Sequence, residues 1–284
     1  MKKYIAIVLL SGAFLASCGE YNKVIKSTDY INKYEAAKSY FGQGEYMKAS
    51  TLLEELVAFL KGSDNAEESL YMLAMCYYNQ GDYVSASHYF TNYYNTYPKG
   101  VYTELARFHS GKALYLDTPE ARLDQSSTYS AIQELQMFME YFPRSERKSE
   151  AQIMIFALQD KLVEKEYLSA KLYFDLGSYT MNCAYGGSNY EACVVTAQNA
   201  LRDFPFAKPE RREELSVMIL RARFLLAEQS IDSKRVSRYR DCIDEYYAFV
   251  NDFPESKYIK EAEKIMSKST DFVNKHASKD EVVD

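Results

Sequence analysis

The chain has 284 residues, 47% of them hydrophobic, and its 34 basic and 40 acidic side chains give a net charge of −6. This acidic balance argues against nucleic acid as a partner, because nucleic-acid binding requires a basic surface. The apolar fraction is sufficient for one large domain or an extended repeat array.

Residues 1–17 have the order of a secretion signal peptide. Lys2 and Lys3 precede an apolar run over residues 4–15, and two small residues follow it. The run is too short for a membrane-spanning helix, which needs roughly 20 residues. Removal of the signal takes away both lysines and shifts the net charge from −6 to about −8.

The end of this segment, Leu15-Ala16-Ser17-Cys18, is similar to the lipobox of bacterial lipoproteins. In such proteins the cysteine thiol is acylated, so Cys18 is the expected lipidation site and palmitate the type of lipid. The alternative is a plain secretory signal with a chance cysteine. Acyl chains contribute about 0.8 kcal/mol per buried methylene, which is enough to hold the chain on a membrane. Gly19, in place of aspartate, indicates sorting to the outer membrane, and the lack of an acidic cluster after Cys18 indicates its periplasmic face. Residues 18–29 are the expected tether.

From about Tyr30 to Val273, apolar residues recur at helical spacing, which predicts an all-α chain. The helices come in pairs, and the second helix of each pair has an aromatic residue, a small residue three positions later and a proline twelve positions after that. The pattern reads Tyr83, Ala86, Pro98; Tyr190, Cys193, Pro205; Tyr239, Cys242, Pro254; and, in variant forms, Thr128, Ala131, Pro143 and Tyr46, Ala49, Lys61. Each proline marks where a second helix stops.

This pattern predicts a tetratricopeptide-like helical-hairpin superhelix of about five repeats. Glycine-led turns, Gly44-Glu45-Tyr46 and Gly81-Asp82-Tyr83, join the helices of the first two pairs. The small residues are spaced by 37, 45, 62 and 49 positions, which is longer than the roughly 34-residue repeat. The later pairs therefore need extended helices or loops.

The longest spacing is expected to hold one helix from about Arg147 to Val163, a second from about Lys165 to Leu176, and a loop around residues 185–189. A capping helix from about Ser256 to Lys275 should close the array. We expect N-terminal repeats over residues 30–145, C-terminal repeats and the cap over 146–275, and a mobile tail over 276–284.

The sequence offers little for catalysis. His88, His109 and His276 are the only histidines, and HExxH, GxSxG and Walker motifs are absent. We therefore predict no enzyme activity, no cofactor and no metal site. The remaining cysteines have neither CxxC nor zinc spacing and are interpreted as small buried residues, with a disulfide between Cys183 and Cys193 as the alternative.

Tyrosine is abundant, at 27 residues, and suggests a binding surface. Tyrosines on first helices, among them Tyr71, Tyr77, Tyr78 and Tyr115, could line a concave face and dock an extended peptide. The alternative is that they belong to the repeat cores. Arginines form a second set of candidates because each could hold a carboxylate, although each could also be a solvated helix charge. They are Arg107, Arg122, Arg221 and Arg223.

A lipobox followed by five such pairs resembles the BamD family, the lipoprotein subunit of the outer-membrane β-barrel assembly machinery. The likeness is carried by Tyr34-Glu35-Ala36-Ala37, Gly81-Asp82-Tyr83, Arg122-Leu123-Asp124-Gln125 and Phe142-Pro143-Arg144-Ser145. It implies a periplasmic scaffold that binds BamA and unfolded outer-membrane proteins and helps their folding and insertion.

The resemblance also implies two binding roles. The N-terminal repeats would recognise the C-terminal segments of unfolded outer-membrane proteins, and the residues selected above, Tyr71, Tyr78, Arg107 and Tyr115, are the expected contacts. The helix containing Leu215-Ser216-Val217-Met218 resembles the family's fifth-repeat helix, so Arg223, with Arg221 beside it, would contact a BamA-like barrel protein. The alternative function is another periplasmic tetratricopeptide lipoprotein that coordinates cell-envelope or glycan-handling proteins.

Overall fold

A computed structural model of the chain describes residues 21–177, 179 and 188–280, with side chains up to residue 276. Within these ranges the regular structure is helical, which confirms the predicted all-α class. The signal segment, Cys18, Cys183, the glycine pair Gly186-Gly187 and residues 281–284 lie outside the described residues. None of the helices in the described ranges is both long and apolar enough to cross a membrane.

The helices form successive hairpins in the predicted order. A short helix, α1, covers residues 21–26 and precedes the first hairpin. The five hairpins are α2 Tyr30–Gly42 with α3 Tyr46–Phe59, α4 Ala66–Gln80 with α5 Tyr83–Thr96, α6 Thr103–Asp117 with α7 Ser126–Tyr141, α8 Lys148–Leu176 with α9 Asn189–Asp203, and α10 Pro209–Glu228 with α11 Asp232–Asp252. The cap is α12, Ile259–Asp280.

The hairpins belong to two compact units. Unit 1 contains the described residues up to Pro119 together with Gln125–Leu158, and unit 2 contains Glu120–Asp124 together with the described residues from Gln159 onwards. The first three hairpins therefore lie in unit 1, and α9 to α12 lie in unit 2. Helix α8 contributes its first part to unit 1 and its second part to unit 2.

The small residues of the repeat pattern lie inside the hairpins. Ala49, Ala86 and Ala131 in unit 1, and Cys193 and Cys242 in unit 2, are fully buried. The larger residues four positions later in unit 1 fill the space beside them, because positions i and i+4 share one helical face. They are Leu53, Phe90 and Leu135, each fully buried.

The turns of the first two hairpins have the predicted chemistry. Gly44 and Gly81 have φ angles of 77° and 80°, a left-handed conformation that side chains with a Cβ rarely adopt. After the second turn, the Asp82 carboxylate accepts the Ser85 backbone N–H at 3.0 Å and caps α5. At the other end α5 stops at Thr96, two residues before Pro98, as the pattern predicted.

The expected break near residue 164 is wrong. Lys148–Leu176 is one continuous helix of 29 residues. Leu158, Leu162 and Val163 are buried before the expected break and Ala170 is buried after it. Neither Gly nor Pro occurs in this stretch, so the backbone has no residue that would end the helix. The cap also runs to Asp280, past the expected end near Lys275.

The described cysteines are buried thiols. Cys76, Cys193 and Cys242 are free and fully buried, in agreement with the sequence interpretation. Burial raises the pKa of Cys76 and of Cys193 to about 12 and that of Cys242 to about 11. Thiols with such pKa values are inert at neutral pH and act as small apolar residues.

Candidate protein-binding sites

Two of the sequence-selected residues, Tyr71 and Tyr78, lie near three further residues of unit 1. Tyr71 and Tyr78 lie two turns apart on α4, His109 and Lys112 lie one turn apart on α6, and Arg147 immediately precedes α8. The Tyr78 and His109 rings meet edge to face at 5.2 Å. We call these five residues the first-helix face.

The first-helix face combines aromatic rings with positive charge. The Lys112 Nζ forms an ion pair with Glu150 at 2.7 Å. The Arg147 guanidinium lies 5.8 Å from the Phe108 ring centre, a cation–π contact. The face thus carries two cations, Lys112 and Arg147, of which Lys112 is paired with Glu150.

His109 is held neutral at this face. Its ring stacks on Phe90 at 5.5 Å, and its Nδ1 atom is buried without a hydrogen-bond partner in the described part of the chain. Burial, with Lys112 and Arg147 nearby, lowers its pKa to about 4. An uncharged imidazole with a buried Nδ1 acts here as an aromatic ring that packs between Tyr78 and Phe90.

The tyrosines of the face remain protonated. Burial raises the pKa of Tyr71 to about 12, and Arg147 only partly opposes this effect. Burial likewise raises the pKa of Tyr78, with Lys112 opposing. Tyr71 also stacks on Tyr102 at 4.4 Å with 10° between the ring planes, which fixes its orientation. Both phenols therefore present O–H donors from rings that are fixed in place.

The other two predicted client-binding residues lie elsewhere in unit 1. The Arg107 guanidinium is held between the Tyr94 ring of α5 at 4.1 Å and the Tyr141 ring of α7 at 4.0 Å. Its Nη1 atom is buried without a hydrogen-bond partner among the described residues. Tyr115 packs against the core formed with α7. Arg107 is therefore enclosed by rings of α5 and α7, and Tyr115 lies one turn beyond Lys112 on α6.

The arginines predicted to bind a partner are both engaged within unit 2. Arg221 donates two hydrogen bonds to the Glu261 carboxylate, at 2.7 and 2.6 Å, and this pairing lowers the pKa of Glu261. Arg223 donates to Glu245 at 2.8 Å. The exposed fractions of the Arg223 and Glu245 side chains are only 24% and 14%. Burial raises the pKa of Glu245 despite the neighbouring arginine.

Unit 2 also contains two surface grooves. One, of about 380 Å³, has Arg122 and Lys165 on its rim and Leu168 and Leu172 among its lining residues. The Lys165 ammonium donates to the Arg122 carbonyl at 2.8 Å and so connects α8 to the loop that contains Arg122. The second groove, of about 320 Å³, lies between α10 and α12 beside Phe224. In the described part of the chain, no cluster of His, Cys, Asp or Glu side chains could hold a metal ion.

Sequence reasoning missed three members of the first-helix face. His109 was considered only for catalysis, and Lys112 and Arg147 were not selected. The available signal was the helical spacing, because His109 and Lys112 are three residues apart and Tyr71 and Tyr78 are seven apart. Two such pairs on successive first helices are expected to face the same side.

Comparison with known proteins gives the class of this protein. A family of outer membrane lipoproteins, YfiO, matches residues 27–183, which is more than half of the chain and includes the first three hairpins and α8. The chain therefore belongs to the YfiO family of outer membrane lipoproteins. No curated protein matches the chain significantly.

Proposed function

We propose that this lipoprotein is a BamD-type scaffold of the β-barrel assembly machinery, anchored through an acylated Cys18 on the periplasmic face of the outer membrane. It binds a BamA-like barrel protein and the C-terminal segments of unfolded outer-membrane proteins, and it helps their insertion without catalysing a covalent reaction. The family match over residues 27–183 carries this proposal. That segment contains every residue of the first-helix face.

The chemistry of the first-helix face supports a peptide client. An extended segment ending in an aromatic residue offers a ring and a terminal carboxylate. Tyr71 and Tyr78 supply rigid aromatic surface and O–H donors, and Arg147 and Lys112 supply positive charge for the carboxylate. We assign client capture to this face, and Arg107 becomes a structural residue because two rings enclose it.

The C-terminal repeats are the proposed partner site. Arg221 and Arg223 are already paired, so a carboxylate from a BamA-like protein must join or replace Glu261 or Glu245. Client and partner sites on one chain raise the effective concentration of one bound protein near the other. This effect accounts for assistance to insertion without any chemical step.

Affinity purification of the acylated protein from detergent-solubilised outer membranes tests the proposal. The simple change Arg223→Glu is unsuitable because it places two carboxylates together in a mostly buried position. The double variant Arg223→Glu/Glu245→Arg keeps an ion pair at the site and reverses its polarity. Its matched control is Arg240→Glu, an exposed change on α11.

We expect the wild type and Arg240→Glu to recover a BamA-like barrel protein and the double variant to recover at least tenfold less, a loss of about 1.4 kcal/mol. Recovery with all three proteins would support the assembly function and reject the Arg223–Glu245 pair as the partner site. Absence of any barrel protein would reject the assembly function in favour of a lipoprotein that coordinates other envelope proteins.

A further inference from the structure

The short helix α1 is part of the folded body, although its residues fall within the expected tether. Tyr21, Val24 and Ile25 pack against the core of the first hairpin. The Tyr21 ring meets the Tyr40 ring edge to face at 5.5 Å. Residues 21–26 therefore add no free length between an anchor at Cys18 and the first hairpin.

A buried lysine fixes the far end of α1. Lys33 is 1% exposed, and its Nζ donates to the Ile25 carbonyl at 3.0 Å and to Glu55 at 2.6 Å. A buried ammonium needs such partners, and a cation beside the last carbonyls of a helix stabilises its C-terminal end. The Tyr30 ring, 5.6 Å away, adds a cation–π contact. Helix α1 is therefore held at both ends.

The anchor side of α1 lies at the turn that joins α2 and α3. The Tyr21 hydroxyl donates to the Lys48 carbonyl at 3.4 Å, and the Lys48 Nζ lies 5.8 Å from the Tyr21 ring and 5.2 Å from the Tyr40 ring. Only Gly19 and Glu20 separate Cys18 from Tyr21. Fully extended, this connection spans roughly 11 Å.

The helix ends that flank this turn carry side chains typical of a membrane interface. They are Tyr40 and Phe41 at the end of α2 and Tyr46, Met47 and Lys48 at the start of α3, and we call this set the turn end. Met47 is 74% exposed, and the Phe41 and Tyr46 rings meet at 5.7 Å. Tyrosine rings and lysine stems are favoured at the level of lipid headgroups. Glu45 pairs with Lys48, so the interaction that this surface favours is apolar and aromatic more than ionic.

We infer that the turn end of the first hairpin lies in the headgroup region of the phospholipid leaflet that holds the acylated Cys18. The inference rests on the lipid anchor of the proposed function. The docked α1 and the short connection bring the surface to the membrane, and the exposed methionine and the half-buried aromatic rings beside it enter the interface. The first hairpin then has a fixed end toward the bilayer.

The absence of tryptophan from the chain permits a direct test. Met47→Trp places a single fluorescent residue at the turn end, and Ile31→Trp is the matched control. Both positions are 74% exposed on the same hairpin. Ile31 lies at the other end of α2, about 14 Å along the helix from Tyr40. The acylated variants are reconstituted in phosphatidylethanolamine–phosphatidylglycerol vesicles that carry lipids spin-labelled near the headgroup.

We expect blue-shifted emission and several-fold greater quenching for Met47→Trp than for Ile31→Trp. Equal quenching of the two variants would overturn the inference. Mass spectrometry of the mature N terminus shows independently whether Cys18 is acylated. A chain without acylation would reject both the lipid anchor and this inference.

A second variant tests the role of the short connection. Insertion of about twelve Gly and Ser residues after Glu20 adds roughly 20 Å of reach. Quenching of Met47→Trp should then fall toward the level of the Ile31→Trp control. Unchanged quenching in the acylated insertion variant would contradict the idea that the docked α1 and its short connection to Cys18 place the turn end at the membrane.

Discussion

At the level of single residues, His109 links the first-helix face to pH. Its folded-state pKa of about 4 lies below the ordinary value of 6.5. As the pH falls below 6.5, His109 binds a proton in the unfolded chain but stays neutral in the folded chain. The stability from the neutral imidazole is complete above pH 6.5 and is lost progressively as the pH falls to about 4.

His109→Phe keeps an aromatic ring beside Phe90 and removes the titrating group. We expect this variant to lose less stability than the wild type between pH 7 and pH 5, by about 2 kcal/mol. Urea unfolding at the two pH values measures this difference. His88→Phe, at an exposed position, is the control and should behave as the wild type does. An unchanged pH dependence in His109→Phe would show that other groups cause it.

The orientation of individual side chains was the least predictable feature. Arg107 and His109 are two residues apart on α6, so they point to opposite sides of the helix. Arg107 was chosen as a binding candidate for its charge, but its guanidinium lies between two tyrosine rings. Which side of α6 faces the neighbouring second helices depends on packing between hairpins, and single-residue chemistry does not determine it.

At the level of helices, Gly111 lies where α6 packs tightly against α7. A Cβ atom there would lie 2.7 Å from Leu135 Cδ2 and 3.3 Å from the Leu135 backbone nitrogen. The side chain can shift, but the backbone of α7 cannot shift without moving the hairpin. Glycine is therefore needed at this position for close packing of α6 on α7.

Gly111→Ala should lower the free energy of unfolding by about 1–3 kcal/mol, because overpacking outweighs the gain in helix propensity. Gly42→Ala is the matched control, since a Cβ at the end of α2 meets nothing within 4 Å. The control should be neutral or slightly stabilising. Thermal melting of the two variants compares them, and equal melting temperatures would contradict the close-packing argument.

The hairpins were predictable because their signals are local. A small residue followed twelve positions later by proline specifies a tight crossing and a helix end, and Ala86 and Pro98 show both. The length of α8 was not predictable in the same way. Its continuity past residue 164 follows from burial of Ala170 in unit 2, a tertiary contact that the periodicity alone does not reveal.

At the level of the whole molecule, the two proposed sites belong to different compact units. The first-helix face lies in unit 1, and Arg221 and Arg223 lie in unit 2. A scaffold that binds an unfolded client and a BamA-like partner at the same time needs two binding sites that do not overlap. The resemblance predicts client binding by the N-terminal repeats and partner binding by the C-terminal repeats, and this division of roles stays a prediction. The contacts of the individual side chains depend on the packing of each unit.

The measurement that tests the central claim most directly is formation of a three-component complex. The mature domain without its anchor is mixed with the periplasmic part of a BamA-like protein and a fluorescent peptide that carries the C-terminal segment of an outer-membrane protein. Sedimentation velocity follows the peptide. Arg147→Glu tests the first-helix face, and Arg144→Glu, an exposed change in the same loop, is its control.

We predict that the peptide sediments with the domain both in the absence and in the presence of the barrel partner. Arg147→Glu should weaken peptide binding about tenfold, and Arg144→Glu should leave it unchanged. Displacement of the peptide by the partner, or absence of binding to the wild-type domain, would contradict the account of one chain that holds client and machine together.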